Sequence, residues 1–329
     1  MFNGYKSEKI MAKQLPYGIS DYARIMKENF YYVDKTRFIE TVEASAPFLF
    51  LIRPRRFGKS LWLNTLKAYY DINLADQFQE LFGEQYIGKH PTAERNKYLI
   101  LSLNFSGVAA GLDNVESSFE AHCSKSFDKF NEAYRWLLGE EYFANYPANE
   151  VAESKIEYIT NSCQKKALSI YLFIDEYDNF TNTILSGHGI NHYAGITHGN
   201  GFFRLFFNKI KLATTDVGAS LKKIFITGVS PVTLDDVTSG FNIARNITTD
   251  ARFNSIVGFT ENEVIEMLRY YKNEGLIREP IEILLNVMRE WYNNYCFSKH
   301  DTRTKMYNPD MVLYFLSTYL ANGMPPTPG

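Results

Sequence analysis

Short apolar runs alternate along the chain with amphipathic stretches. The first run covers residues 46–52, the second 98–105, the third is Ile170-Tyr171-Leu172-Phe173-Ile174 and the fourth Ile224-Phe225-Ile226-Thr227. Each is too short for a buried helix and is apolar at successive positions, so each predicts a strand buried on both faces. A fifth strand is expected between Asn242 and Val257. Helical spacing predicts helices before the first run (from Asp21 and again from Lys35, around an extended piece at 31–33) and directly after it, to about Tyr70. It recurs over 74–81, over 115–166 with breaks near Gly139 and Pro147, and over 201–214. Strands alternating with helices predict an α/β fold with a parallel sheet covered by helices on both faces.

The texture changes after Gly258. Thr260 and Glu263 have capping-box spacing ahead of a helix through Tyr271. Pro280 opens a helix to about Trp291, and Pro309 one through Leu320. This reads as a small all-helical module over 259–329, following a core over 1–258. The end, Pro325-Pro326-Thr327-Pro328-Gly329, is linker-like, so continuation in a longer protein is expected.

Composition narrows the classes. The chain has 329 residues, 45% hydrophobic and 22% charged, enough for a sizeable core. A net charge of −2 supplies no global basic field for sequence-independent DNA binding, although Arg53, Arg55 and Arg56 form a local basic patch. Cys123, Cys163 and Cys296 are far apart and odd in number, neither a zinc spacing nor a disulfide framework. They point to a reducing, cytoplasmic location. The first residues lack a signal-peptide core, and no apolar run could span a bilayer.

The chemistry begins where the first strand ends. Arg53-Pro54-Arg55-Arg56-Phe57-Gly58-Lys59-Ser60 follows it and a helix comes next, the context of a phosphate-binding loop of Walker A type. Backbone N–H groups of a tight loop and the positive end of a helix cradle phosphate oxygens. The expected nucleotide-binding stretch is Pro54, Arg55, Arg56, Phe57, Gly58, Lys59, Ser60 and Leu61. Lys59 is expected on the β- and γ-phosphates and Ser60 on magnesium. Arg53 stands where the pattern G-x-x-x-x-G-K-[ST] has its first glycine. The third strand ends in Asp175-Glu176, a Walker B arrangement in which Asp175 would hold magnesium and Glu176 would act on the attacking water as general base. Thr227 or Ser230, at the end of the fourth strand, would sense the γ-phosphate or simply close the strand. No guanine-reading N-K-x-D is present, which favours ATP.

Other candidates are weaker. His188, His192 and His198 lie in a glycine-rich stretch, expected to be a loop near the nucleotide or a partner rather than a metal site. Arg204, Arg245 and Arg252 are candidate arginine fingers; Arg55 and Arg56 would touch phosphates, act on a neighbouring subunit or remain solvated. Asp34 and Lys35 would cap a helix, and Tyr17-Gly18-Ile19 would pack on adenine. Glu153-Ser154-Lys155 has a nuclease-like E-x-K spacing but reads as a solvated helix face.

The chain resembles the AAA-ATPase-like family. The resemblance lies in Tyr31-Tyr32-Val33-Asp34-Lys35-Thr36, in the block from Arg53 to Leu61, in Phe173-Ile174-Asp175-Glu176-Tyr177-Asp178-Asn179 and in Thr227-Gly228-Val229-Ser230-Pro231. It continues in Gly258-Phe259-Thr260-Glu261-Asn262-Glu263-Val264 and Tyr307-Asn308-Pro309. It covers nearly the whole chain, tolerates arginine at the first glycine position, and implies that the module after Gly258 is a lid. Many similar proteins continue into a C-terminal PD-(D/E)xK nuclease domain; the chain stops before one would fit, so nuclease activity is not expected of these residues. The expectation is a P-loop NTPase core with a helical lid, hydrolysing ATP with Mg2+ as cofactor. It would be coupled to a homo-oligomer, a partner protein or a C-terminal domain acting on nucleic acid, with no membrane association. The alternatives are an ATP-binding switch or scaffold with negligible turnover, and a P-loop kinase.

Overall fold

The computed structural model describes residues 12–231, 243–292, 295–298 and 304–326. The reading of the first residues, the Asn242 start of the fifth strand and the final residues of the linker-like end lie outside them. Strands β1 (Phe48–Ile52), β2 (Leu99–Asn104), β3 (Ile170–Asp175), β4 (Leu221–Gly228) and β5 (Arg245–Asn246) form one parallel sheet in the order β2-β3-β4-β1-β5.

Successive side chains of a strand point to opposite faces, and here both faces are covered. Leu49, Leu51, Tyr171, Phe173 and Phe225 enter one cluster, with α1 (Tyr22–Lys27), α2 (Phe38–Glu43), α3 (Lys59–Tyr70), α4 (Phe78–Phe82) and α5 (Tyr86–Lys89). Phe50, Leu172, Ile174, Ile224 and Ile226 enter the other. That face carries α6 (Val115–Ala133), α7 (Arg135–Leu138), α8 (Glu140–Ala144), α9 (Ala152–Lys165), α10 (Asn179–His188), α11 (Ile190–Thr197) and α12 (Phe202–Leu212). The fifth strand is only two residues long, because it closes the sheet edge beside Leu49 and Phe50 and then turns away.

A third cluster joins α13 (Glu261–Asn273), α14 (Ile281–Tyr292) and α15 (Pro309–Asn322). Both bonds of the capping box form: Glu263 N donates to Thr260 Oγ1 at 3.3 Å, and Thr260 N to Glu263 Oε2 at 2.7 Å. The module is not all-helical. β6 (Phe259–Thr260) pairs antiparallel with β7 (Met306–Tyr307). A two-residue strand has no periodicity to read, and here it is set by where the chain returns. Leu15, Tyr31 and Val33 pack on this cluster, and Tyr271 Oη donates to Lys13 O at 2.9 Å, so the segment before α1 is part of the same seam. Among the described residues no helix is long and apolar enough to cross a membrane.

Candidate functional site

Parallel strands deliver their C-terminal ends to one edge, where α/β proteins build their sites. β1 leaves that edge into the 53–58 loop, and α3 starts at Lys59. Gly58 has φ +87°, a left-handed conformation that costs glycine little, and a Cβ there would meet nothing within 4 Å. The loop is therefore open on the side of Gly58. The first N–H groups of α3 have no partner within the helix, and the helix dipole adds partial positive charge. The Lys59 ammonium is drawn into the loop and donates to the carbonyls of Arg53 (3.0 Å) and Pro54 (2.9 Å). Burial pulls its pKa below 10.5, against the opposing carboxylates of Asp175 and Glu176.

Because β4 lies between β1 and β3, the ends of all three strands converge. Asp175 is buried and receives two hydroxyls: Ser60 Oγ donates to Oδ2 and Thr227 Oγ1 to Oδ1, each at 2.6 Å. Glu176 follows, half-buried, with φ +51°, a sparsely populated conformation for a side-chain-bearing residue. Burial raises its pKa above 4.5, Asp175 adds to the rise, and Lys59 and Arg55 oppose it.

The three loop arginines have different fates. Arg53 is fully buried and turned away from the loop mouth. It donates to the carbonyls of Ile52 and Thr248 (2.8 Å each) and Phe253 (2.9 Å), and it lies 4.1 Å from the Phe297 ring centroid. Burial lowers its pKa to about 9. This position is a strut, which explains how an arginine occupies the place of a glycine. Arg56, with φ +63°, donates to Asp310 Oδ2 of α15 at 3.2 Å. Arg55 is exposed and reaches Asn179 Oδ1 at 3.5 Å. Phe57 is buried edge-on to Tyr295 and Phe297, and its carbonyl accepts from Gly258 N at 3.1 Å.

A cleft of about 390 Å³ opens beside the loop. The loop, Glu176, Gly18, Ile19, Trp62 and Val257 are among the residues that line it. Tyr17 is instead exposed near Tyr314, with ring centroids 6.4 Å apart. Asp34 reaches a helix start, though not that of α2, whose N-cap Arg37 has no side-chain cap: it accepts from Thr36 N at 2.8 Å in the turn before α2 and from Tyr86 N, at the start of α5, at 2.7 Å. Lys35 does not cap: it is buried in an ion pair with Glu263, 2.7 Å to each oxygen. Burial lowers its pKa, and Glu263 opposes that shift.

Several candidates lie elsewhere. Arg245 and Arg252 are both tied to Asp250, at 3.2 and 2.7 Å. Arg204 is half-buried on α12. His188 and His192 lie not in a loop but on the helices α10 and α11, which meet at Gly189; His198 follows α11 as its C-cap, in the turn before α12. Phe180, Ile184, Tyr193 and Ile196 bury at helical spacing there and outweigh the glycines. His188 and His192 are exposed, and among the described residues no His, Cys, Asp and Glu group could hold a metal by itself. Glu153-Ser154-Lys155 lies on α9, but Lys155 is buried rather than solvated, donating to Ser124 Oγ at 2.8 Å. Asp178 is a residue that sequence reasoning passed over. It is buried and accepts from Val229 N, Ser230 N and Asn182 Nδ2, while Tyr177 Oη donates to Ser230 O. This pair anchors the turn after β4 and holds both backbone groups of Ser230; its signal in the sequence was its place in the block from Phe173 to Asn179, to which no role was attached.

The residues suit the groups that such a site implies. A hydroxyl and one carboxylate form an all-oxygen, hard donor set of the kind magnesium takes when phosphates and waters supply its other positions. The open Gly58 side, the buried Lys59 ammonium and the start of α3 suit a polyphosphate.

The class that these features fit is an α/β core like that of P-loop nucleotide-binding proteins. The family model described as Predicted AAA-ATPase matches residues 16–238, and the chain belongs to that AAA-ATPase-like family. It is also 28% identical over 311 residues to an uncharacterized protein in the vnfD 5' region of Azotobacter chroococcum mcd 1. The match covers 92% of this chain and 52% of that relative, so the chain spans about half the relative's length.

Proposed function

We propose that the chain binds ATP with magnesium and hydrolyses it. The observation that carries this reading is the convergence of Ser60 and Thr227 on Asp175, beside Lys59 at the start of α3. Magnesium would be held by Ser60 and Asp175 and would neutralise charge on the phosphates. Lys59 gives up its two neutral carbonyl partners for anionic phosphate oxygens, an exchange of one set of hydrogen bonds for stronger ones between opposite charges. Glu176 accepts the proton of the attacking water; its raised pKa makes it a better base than an exposed glutamate. Thr227, fixed on Asp175, monitors the terminal phosphate from the end of β4. The stretch from Pro54 to Leu61 supplies the backbone cradle.

The module of α13–α15 then acts as a lid. Its links to the loop, Phe57 O to Gly258 N and Arg56 to Asp310, give it a direct mechanical connection to the phosphate site. What the lid would drive is a partner protein, a second copy of the chain or a C-terminal region acting on nucleic acid.

The test is phosphate release from ATP and magnesium, with nucleotide binding in parallel, for the native chain, Lys59→Ala and Glu176→Gln. Loss of binding in the first variant, and loss of turnover with binding kept in the second, are expected. Tight binding without turnover in the native chain would replace this reading with an ATP-dependent switch; ATP consumption only with a hydroxyl acceptor present would replace it with a kinase.

A further inference from the structure

Fast hydrolysis of a nucleoside triphosphate needs a cation on the charge that develops at the terminal phosphate, and an arginine commonly supplies it. The described arginines differ sharply in what they could contribute. Arg245 and Arg252 share the single carboxylate of Asp250, and Arg53 is spent on three carbonyls deep in the seam. Arg56 is turned toward Asp310. Arg55 alone among the loop arginines is exposed at the mouth without an ion pair among the described residues, and its one hydrogen bond is a long contact of 3.5 Å to a neutral amide. It lines the same cleft as Glu176 and Lys59, and its charge reaches both. A guanidinium held this loosely is available to an anion at little cost, because no strong bond has to be broken.

We infer that Arg55 is the arginine of the hydrolytic step and that it acts within its own chain, so that turnover does not need an arginine from a neighbouring subunit. The inference rests on the ATPase reading and deepens it. Water adds to the terminal phosphorus as the bond to the ADP oxygen breaks, Glu176 takes the water's proton, and the Arg55 fork offsets the charge on the phosphoryl oxygens. A lysine could offer charge there but not a bidentate fork.

The experiment uses the full chain as Arg55→Ala and Arg55→Lys, with Arg252→Ala as control. Three quantities are read: turnover, affinity for ADP, and affinity for ADP with fluoroaluminate, a mimic of the transferring phosphoryl group. Arg55→Ala should lower turnover by on the order of 10³-fold. It should weaken the fluoroaluminate complex by roughly 10²-fold or more while ADP affinity changes little. Arg55→Lys should recover only part, and Arg252→Ala should match the native chain. Turnover per chain should be constant on dilution to the monomer, and mixing Arg55→Ala with Lys59→Ala should restore nothing. Native turnover and fluoroaluminate affinity in Arg55→Ala would overturn the inference and leave the ATPase reading standing, as would restored activity on mixing, which places the arginine in trans. Failure of the native chain to bind ADP at all would remove both.

Discussion

Both ends of the central sheet carry a carboxylate that accepts two hydroxyls, yet only one end has the features of a site. At the C-terminal edge Asp175 accepts from Ser60 and Thr227. At the opposite end Glu43 accepts from Tyr70 Oη at 2.9 Å and Thr92 Oγ1 at 2.8 Å, with Tyr98 bonded to Glu94 and Lys223 close to Glu94. The lower network is chemically as rich as the upper one. It lacks an open cleft: the neighbouring cavity is about 90 Å³ against about 390 Å³. A carboxylate with hydroxyl partners is thus an ordinary way to satisfy buried polar groups. A site needs in addition an open cleft, unpaired backbone donors and a cation that can be released.

Substitutions should separate the two ends by what they disturb. The largest effects belong to the upper edge: Glu176→Gln should lower turnover by on the order of 10²–10⁴-fold with an unchanged melting temperature, measured by phosphate release and calorimetry. Lys35→Met should act on folding instead, since it leaves Glu263 half-enclosed without its counter-charge; a loss of about 3–5 kcal/mol in denaturant titration is expected, reduced when Glu263→Leu is added. Gly258→Ala should cost roughly 1–3 kcal/mol or more, because its Cβ would lie 2.5 Å from Phe57 Cε1 in a left-handed backbone, and it should also disturb turnover through the loop. At the lower end Tyr70→Phe should cost only about 1 kcal/mol and leave turnover intact.

The smallest effects concern pH. Burial raises the pKa of both Glu43 and Glu176 above 4.5, so both hold their protons more tightly when folded. For Glu43 the stabilisation is complete below 4.5 and is lost as pH rises through the folded value, so the native chain should lose stability relative to Glu43→Gln over that interval. For Glu176 the same direction appears in turnover, which should rise with pH along a limb displaced above 4.5. A turnover limb that followed Glu43→Gln would blur the distinction between the two ends.

Much of this was legible in the sequence for a physical reason: a strand covered on both faces has to be apolar at successive positions, as β1 and β3 are, whereas the edge strand β2, with Ser102 and Asn104, alternates. The 53–60 loop and Asp175-Glu176 stood out as residue types at a fixed spacing, and the structure brings Ser60 and Asp175 together. What escaped depends on contacts distant in sequence. Nothing local says that Arg53 turns inward to carbonyls 248 and 253, that Lys35 meets Glu263, or that Lys155 is covered by α6. The helices α10 and α11 escaped because packed aromatic and aliphatic residues outweighed glycines that argue for a loop. β6 and β7 are too short to carry a pattern.

The central claim is that the edge built from β1, β3 and β4 hydrolyses the nucleotide it binds. The most direct test is to incubate the native chain and Glu176→Gln with ATP and magnesium, remove free nucleotide, and identify what each protein holds by chromatography. The account predicts ADP on the native chain and intact ATP on Glu176→Gln. Intact ATP on both, or nucleotide on neither, would contradict it.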